Sequence, residues 1–365
     1  MRLAVHHSNP PCDSFRAARV RSLYNIEAAH SFSHVAELPI DGMDWQIGVI
    51  AGPSGSGKTS LGRAIFAPGA DWCEAGWPSD VPLVEALAPA ASFEAVTGAL
   101  AAVGLGAVPT WLRPHAALST GEKFRAGLAR LLLASPATAV VDEFSSVVDR
   151  QVARAASVAF GKAWRRTGGK VVLLTCHTDV LPWLQPDWVW DTGRAAFSAR
   201  RRRRPGTAVD IHRVNSAFWP GFEAHHYLKL PKPIAAFYYV GFVAGEPVAH
   251  VAISTRPGMR EARACRFVVK PDWQGMGIGI AFLNAICGLW LAGDNPYSKP
   301  MPTLMNTSHP GLAAMLRRHP SWQQISASLC GAVARRVKLA DGESTGKHAG
   351  HFRALAGFRY LRESP

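Results

Sequence analysis

The chain has no paired cysteines. Cys12, Cys73, Cys176, Cys265, Cys287 and Cys330 are scattered, with no CxxC pair and no metal-type spacing. That argues against a disulfide framework or a zinc finger and fits the reduced thiols of a cytoplasmic protein. A long apolar run is missing as well. The least polar stretch, Ala95 to Leu112, contains three glycines and Pro109. It falls short of the roughly 18 to 20 strongly apolar residues that a membrane helix needs. Met1-Arg2 leads into no apolar core, so no signal peptide is expected. Internal repeats are absent. Acidic residues are scarce in one half only: residues 205–365 hold 9 acidic against 18 basic side chains, whereas residues 1–199 hold 17 of each. Arg200 to Arg204 add five positives between them, and the formal charge is +14. Such an asymmetry suits a polyanionic partner such as nucleic acid, and equally a solvated basic surface.

What is present suggests two domains. The length is 365 residues, and 48% are hydrophobic, enough for each domain to bury a core. Residues 1 to about 198 alternate short apolar runs with helical patterns, as a wound α/β sheet does. Ile47 to Ala51, Ala137 to Val141 and Val171 to Leu174 read as buried parallel strands. Arg200-Arg201-Arg202-Arg203-Arg204-Pro205-Gly206 reads as a linker, since like charges repel and Pro and Gly break regular structure. Beyond it, Ala235 to Val243 and Val248 to Thr255 flank a hairpin turn, and Ala264 to Val269 gives a third strand.

Chemistry first enters at Gly52-Pro53-Ser54-Gly55-Ser56-Gly57-Lys58-Thr59. After a strand, the spacing GxxxxGK[ST] makes a loop whose backbone N–H groups wrap phosphates. The expected nucleotide contacts are Gly52, Ser54, Gly55, Gly57, Lys58, Thr59 and Ser60, with the following helix adding its positive end. Asp142 ends an apolar strand and is expected, with Thr59, to hold Mg²⁺. Glu143 is placed to orient or deprotonate a water, and His177 follows the third strand as a γ-phosphate sensor.

Leu118-Ser119-Thr120-Gly121-Glu122 resembles the signature sequence of the ABC ATPases. Ser145-Ser146-Val147-Val148-Asp149 is similar to their D-loop, and His177 to their switch histidine. The resemblance covers about residues 1–195 and implies ATP and Mg²⁺ as ligands. It also implies a head-to-tail homodimer, with each nucleotide between Lys58 of one copy and Ser119 and Gly121 of the other. Two departures stand out. No glutamine occurs between Ser60 and Leu118, where the family has its coupling glutamine; Trp77-Pro78-Ser79-Asp80 falls in that place. The interval is also short. Tyr24 and Phe32 are the candidates for stacking on adenine.

A second constellation follows. Arg266 to Trp273 lead into Gln274-Gly275-Met276-Gly277-Ile278-Gly279 and an apolar helix, again a strand, a glycine loop and a helix start suited to a pyrophosphate. With no lysine in the loop, it is not a second ATP site. The pattern QxxGxG resembles the acyl-coenzyme A loop of the GNAT acyltransferases, over about residues 207–365. The resemblance implies acetyl-CoA or another acyl-CoA bound by Gln274, Gly275, Met276, Gly277, Ile278 and Gly279. Phe267 to Val269 would then offer backbone N–H groups to the thioester carbonyl. An amine acceptor needs a base. The candidates are His225-His226-Tyr227, Asn306-Thr307-Ser308-His309 and Tyr360, with His226 and Tyr227 favoured. The His-His-Tyr-Leu segment is also similar to phage Mom-type DNA-modification proteins, which implies a base nitrogen as acceptor.

The expected fold is therefore α/β: an ABC-type P-loop NTPase domain with a parallel sheet over 1–198, an Arg-rich linker over 199–206, and an α+β GNAT-like domain with a mostly antiparallel sheet over 207–365. The expected function is ATP hydrolysis coupled to N-acyl transfer onto nucleic acid or a nucleic-acid-bound target. The alternatives are a transporter ATPase subunit with an accessory domain, or an ATP-regulated acyltransferase for a protein or small amine.

Overall fold

The structure, a computed structural model, describes residues 2–8, 14–24, 31–65, 76–199, 206–228, 232–255, 258, 260–330 and 353–361. The chain opens with β1 (Arg2–Ser8), α1 (Phe15–Tyr24), β2 (Ser31–Glu37), β3 (Ile47–Ala51) and α2 (Lys58–Ile65). Four helices follow: α3 (Leu83–Ala86), α4 (Phe93–Ala102), α5 (Val108–Trp111) and α6 (Thr120–Ala134). Then come β4 (Thr138–Val141), α7 (Arg150–Trp164), β5 (Lys170–Thr175), α8 (Leu181–Leu184), β6 (Trp188–Asp191) and β7 (Ala196–Ser198). The remainder is β8 (Asp210–Val214), α9 (Pro220–Glu223), β9 (Ala236–Val243), β10 (Glu246–Thr255), β11 (Ala262–Val269), α10 (Ile278–Ala292), β12 (Thr303–Thr307), α11 (Pro310–Arg318), β13 (Trp322–Cys330) and β14 (Arg353–Tyr360).

By packing, the chain divides into two units: Met1–Gly76 with Ala134–Pro205, and Trp77–Leu133 with Gly206–Pro365. The division does not follow the chain. The segment carrying α3 to α6, placed with the first half on sequence, packs with the second.

In the first unit a five-stranded sheet runs β4-β5-β3-β6-β7, parallel except for β7. All five residues of β3 are buried, as its unbroken apolar sequence requires at the centre of a parallel sheet. Its entry is pinned by Asp187, which accepts hydrogen bonds from the Gln46 and Ile47 N–H groups at 2.9 and 3.0 Å and pairs with Arg165 at 3.0 Å. Partial burial works to raise the Asp187 pKa, but the Arg165 contact and the two backbone donors hold it below the ordinary value. The β1–β2 ribbon adds Ala36 to a core built with Leu38, Trp45, Leu61, Trp188 and Trp190.

The second unit holds a seven-stranded sheet, β13-β14-β12-β11-β10-β9-β8, antiparallel apart from the β11–β12 pair. α10 crosses between those two strands and buries Phe282, Leu283, Ile286, Cys287 and Trp290. Burial pushes the Cys287 thiol up to about 12, so it stays protonated as an apolar core residue. β11 and β12 pair only over Ala262↔Thr303, Arg263↔Leu304 and Ala264↔Met305. From there to Val269 and Thr307 they run unpaired with one another. The opening between them positions a cavity lined by Phe267 to Val269 and His309. Among the described residues no helix is long and apolar enough to cross a membrane.

Candidate functional sites

β3 delivers the chain into the Gly52–Lys58 loop. Gly55 and Gly57 sit at φ +77° and +81°, which glycine adopts without the Cβ penalty. At Gly55 a Cβ would project into open space. At Gly52 a Cβ would collide with the Thr192 hydroxyl, which shares a 2.6 Å hydrogen bond with Ser56. Lys58 is buried, and its ammonium donates to the Gly52 and Pro53 carbonyls at 3.0 and 2.8 Å. Two of its three donors thus centre the charge inside the loop and one remains. Lys58 opens α2, so the N-terminal end of that helix dipole faces the same loop. Thr59 and Ser60 are half-buried in its first turn, while Ser54 is exposed.

β4 ends at Val141, and the exposed Asp142 and Glu143 follow. Glu143 at φ +49° and Ser145 at +67° make a sharp left-handed turn. The turn is laced to the tip of β5. The Phe144 N–H donates to the Leu174 carbonyl at 2.8 Å, and the Thr175 hydroxyl donates to the Phe144 carbonyl at 3.0 Å. The same hydroxyl accepts from the His177 N–H at 3.0 Å. β5 lies between β3 and β4, so Lys58, His177 and the Asp142-Glu143 pair all follow the carboxyl ends of adjacent parallel strands. Ligands gather at that edge of an open α/β sheet. Thr59 and Asp142 offer hard oxygen donors of the kind Mg²⁺ takes alongside phosphate oxygens. Among the described residues no cluster of three or more His, Cys, Asp or Glu could hold a metal by itself.

Ser119 and Gly121 lie in the second unit, at the start of α6. The Glu122 N–H donates to the Ser119 hydroxyl at 3.3 Å, and the Glu122 carboxylate accepts from the Ser119 N–H at 2.8 Å, a reciprocal cap on the helix. Partial burial pushes the Glu122 pKa up, but hydrogen bonds from Ser119 and Thr110 and the charge of Arg113 outweigh it and leave the pKa lowered. Ser119 remains exposed. Trp77, in the place of the expected coupling glutamine, is sandwiched: His115 stacks on it at 4.2 Å, and the Arg130 guanidinium lies 3.3 Å from its ring centre. Of the adenine-stacking candidates, Tyr24 is exposed at the end of α1 and Phe32 lies in β2. Arg200 to Arg204 lie outside the described residues.

The opening between β11 and β12 contains a cavity of about 290 Å³. Phe267 to Val269, Gln274, Gly275, Gly277 and Gly279 wall one side. His309, Gly311, Leu312 and Met315 of the α11 region wall another, and Ala101 and Gly106 complete it. Gly277, in the left-handed region at φ +92°, caps α10, whose N-terminal N–H groups begin at Ile278. At Gly279 a Cβ would press on the Val269 and Phe267 side chains, so only glycine lets helix and strand approach. The Gln274 side chain serves the scaffold: its Oε1 accepts from the Gly106 N–H at 2.9 Å and its Nε2 donates to the Val269 carbonyl at 2.9 Å.

The favoured acid–base residues are placed differently from one another. Tyr227 and the exposed His225 line the cavity, and the Tyr227 hydroxyl accepts from the Ser308 N–H at 3.3 Å. His226 is not in the cavity wall. It is buried, its Nδ1 lies 2.6 Å from the Leu228 carbonyl, and its ring meets Trp219 edge-on. Burial lowers its pKa, against the Leu228 hydrogen bond and with the help of Arg266. Tyr360 is core, packed on Trp322. His309 lines the cavity with both nitrogens engaged: Nδ1 accepts from the Leu312 N–H at 3.2 Å and Nε2 meets the Gly106 carbonyl at 2.9 Å. A wider cleft of about 970 Å³ lies between α4, α5, α11 and β14, and Tyr227 borders this one as well.

Sequence reasoning missed the part played by Gly104-Leu105-Gly106. This turn touches Gln274, His309 and Arg125 together. Two glycines spaced by one, just after an apolar helix, were the only signal of a close backbone approach.

No family model matches the chain, and no curated protein matches it. Solved structures do. One is cbiO1 from Clostridium perfringens, part of the ABC transporter complex cbiONQ: 17% identity, 40% of this chain and 72% of that one, TM-score 0.34. Another is MJ0796, a bacterial ABC transporter cassette solved as a dimer: 14% identity, 46% and 89%, TM-score 0.36. A third is cbiO-2, a cobalt transport ATP-binding protein: 19% identity, 45% and 70%, TM-score 0.34.

Proposed function

We propose that the chain is an ABC-type ATPase joined to a GNAT-like, acyl-CoA-dependent N-acyltransferase that acts on nucleic acid or a nucleic-acid-bound target. The observation that carries the ATPase reading is the buried Lys58 ammonium, centred in a glycine loop at the end of β3. The Asp142-Glu143 pair and His177 follow neighbouring strands of the same sheet. In this reading Lys58 binds the β- and γ-phosphates, Thr59 and Asp142 hold Mg²⁺, and Glu143 takes a proton from the water that attacks the γ-phosphorus. Magnesium supplies charge neutralisation on the phosphate oxygens. Ser119 and Gly121 complete the site of a second copy in a head-to-tail homodimer.

The diverging strands β11 and β12, the Gly275–Gly279 turn at the start of α10 and the 290 Å³ cavity support the acyltransferase reading. An amine nitrogen attacks the thioester carbonyl, the C–N bond forms, the C–S bond breaks, and the proton lost by the amine ends on the departing thiol. Tyr227, which borders both the cavity and the wider cleft, is placed to pass that proton. The basic balance of residues 205–365 and Arg200 to Arg204 supports a polyanionic target.

The test is ATP hydrolysis by the purified chain with and without DNA and RNA, beside Glu143→Gln. Stimulation by one polymer, lost in the variant, supports the reading. Hydrolysis indifferent to both turns the acceptor search to proteins and small amines.

A further inference from the structure

His250 has no accessible surface and lies in the apolar run of β10, opposite Val268 of β11. It is surrounded by the rings of Trp219, Phe222 and Tyr238. Its Nδ1 is 2.9 Å from the carbonyl oxygen of Arg266. A carbonyl only accepts, so Nδ1 carries the proton, and burial, which lowers the His250 pKa, favours the neutral ring. The bonded residue is unusual. Arg266 sits at φ +51° inside a strand, and the β10–β11 register shifts between His250 and Ala252 at the same place. A non-glycine residue adopts that conformation only where its surroundings hold it. The His250 Nδ1–H, donating to the Arg266 carbonyl, is one such contact.

The consequence follows from peptide planarity. In a trans peptide the C=O and the next N–H point in opposite directions. With the Arg266 carbonyl turned to His250, the Phe267 N–H is turned away from it. Phe267 walls the 290 Å³ cavity, and β12 no longer pairs with β11 beyond Ala264 and Met305. We propose that His250 is a positioning residue: by fixing the Arg266–Phe267 peptide, it presents the Phe267 N–H to the thioester carbonyl of an acyl-CoA in that cavity. The inference rests on the acyltransferase reading. It assigns His250 no contact with substrate, and it explains why a polar side chain stands in an otherwise apolar stretch.

The experiment uses the full chain with acetyl-CoA labelled at the thioester carbonyl. In wild type, binding should move the carbonyl stretch to lower wavenumber, and acetyl-CoA should bind about fivefold more tightly than CoA, the share of one hydrogen bond. His250→Asn places an amide N–H where Nδ1–H was and should keep both signals. His250→Gln, whose amide reaches too far, and His250→Leu should lose both while CoA itself still binds. Hydrogen exchange on wild type gives a reading free of any folding defect: acetyl-CoA, and not CoA, should protect the Phe267 amide. An unshifted band in wild type, an unprotected Phe267 amide, or equal signals in Asn, Gln and Leu variants would each overturn the assignment. Absence of any CoA binding by wild type would instead overturn the acyltransferase reading beneath it.

Discussion

Replacing Gly104 with alanine should destabilise the second unit through one identifiable contact. Gly104 sits at φ +83°, where an L-residue costs about 1–2 kcal/mol. Its new Cβ would lie 2.8 Å from the Gln274 carbonyl oxygen, a backbone atom. Gln274 cannot retreat freely, because its amide is fixed to the Gly106 N–H and to the Val269 carbonyl. Relieving that overlap adds about 1–2 kcal/mol, in the range of other overpacking substitutions. The total is about 2–4 kcal/mol. For a unit of this size each kcal/mol moves the melting temperature by about 2–4 °C. Calorimetry on Gly104→Ala should therefore show a transition lowered by roughly 5–15 °C, with weaker acetyl-CoA binding because Gln274 leads into the Gly275–Gly279 turn. Gly98→Ala is the matched control. Gly98 lies inside α4 with nothing within 4 Å of where the new methyl would stand, so this change should stabilise the helix by about 1 kcal/mol. If the two variants melt alike, the close approach of residues 104–106 to Gln274 is not part of the native fold and the reasoning fails.

Glu143→Gln should abolish ATP turnover while ATP binding persists, read by steady-state hydrolysis beside equilibrium binding; undiminished turnover would remove Glu143 from the proposed chemistry. Burial lowers the pKa of His250 to about 4. The unfolded chain takes up the proton below about 6.5, so the stabilising difference is complete above that pH, shrinks as pH falls from 6.5 to 4, and amounts to about 3 kcal/mol. Melting of wild type should fall across that window, and a folded His250→Asn should flatten the slope. Arg125→Met should leave ATP and acetyl-CoA each bound but weaken any influence of one on the affinity for the other; calorimetric titration of each ligand with the other present reads this out, and undiminished coupling would exclude the Arg125 route. Substituting Arg200 to Arg204 with glutamine should shallow the salt dependence of DNA or RNA retention, and an unchanged slope would argue against phosphate contacts there.

The loop-and-strand parts of both sites were legible because their chemistry is local. Gly52 to Lys58 needs glycines where the backbone turns left-handed, and the apolar Ile47 to Ala51 before it has only one way to be buried. The hairpin around Ala244-Gly245 was visible for the same reason, with both residues at positive φ. What sequence could not show was which distant segments meet. Nothing in Leu118 to Glu122 tells that its helix packs with residues beyond 206. His226 and Tyr227 are neighbours in sequence, yet one turns into an aromatic pocket and the other borders the cavity, a difference decided by tertiary packing. His250 carried a faint signal, a histidine within Val248 to Ile253, but its use depends on the backbone of Arg266, sixteen residues on.

The grouping of residues 77–133 with the second half bears on how the two proposed activities are joined. α6 begins at the Ser119 cap and carries Arg125, which is buried. Arg125 donates to the Gly104 carbonyl at 3.4 Å and to the Pro271 carbonyl at 3.2 Å, and it lies 3.8 Å from the Asp272 carboxylate. Pro271 and Asp272 lead directly into Gln274 and the glycine turn. A guanidinium taken out of water makes a stiff joint, because any movement that strips its carbonyl partners leaves a buried charge poorly compensated. A shift of α6 must therefore carry the 271–274 segment with it or break these bonds. In the ATPase reading Ser119 meets the nucleotide of a second copy. ATP at that end and acyl-CoA at the other would then act on opposite ends of one packed element, and neither a flexible linker nor a coupling glutamine would be needed to connect them.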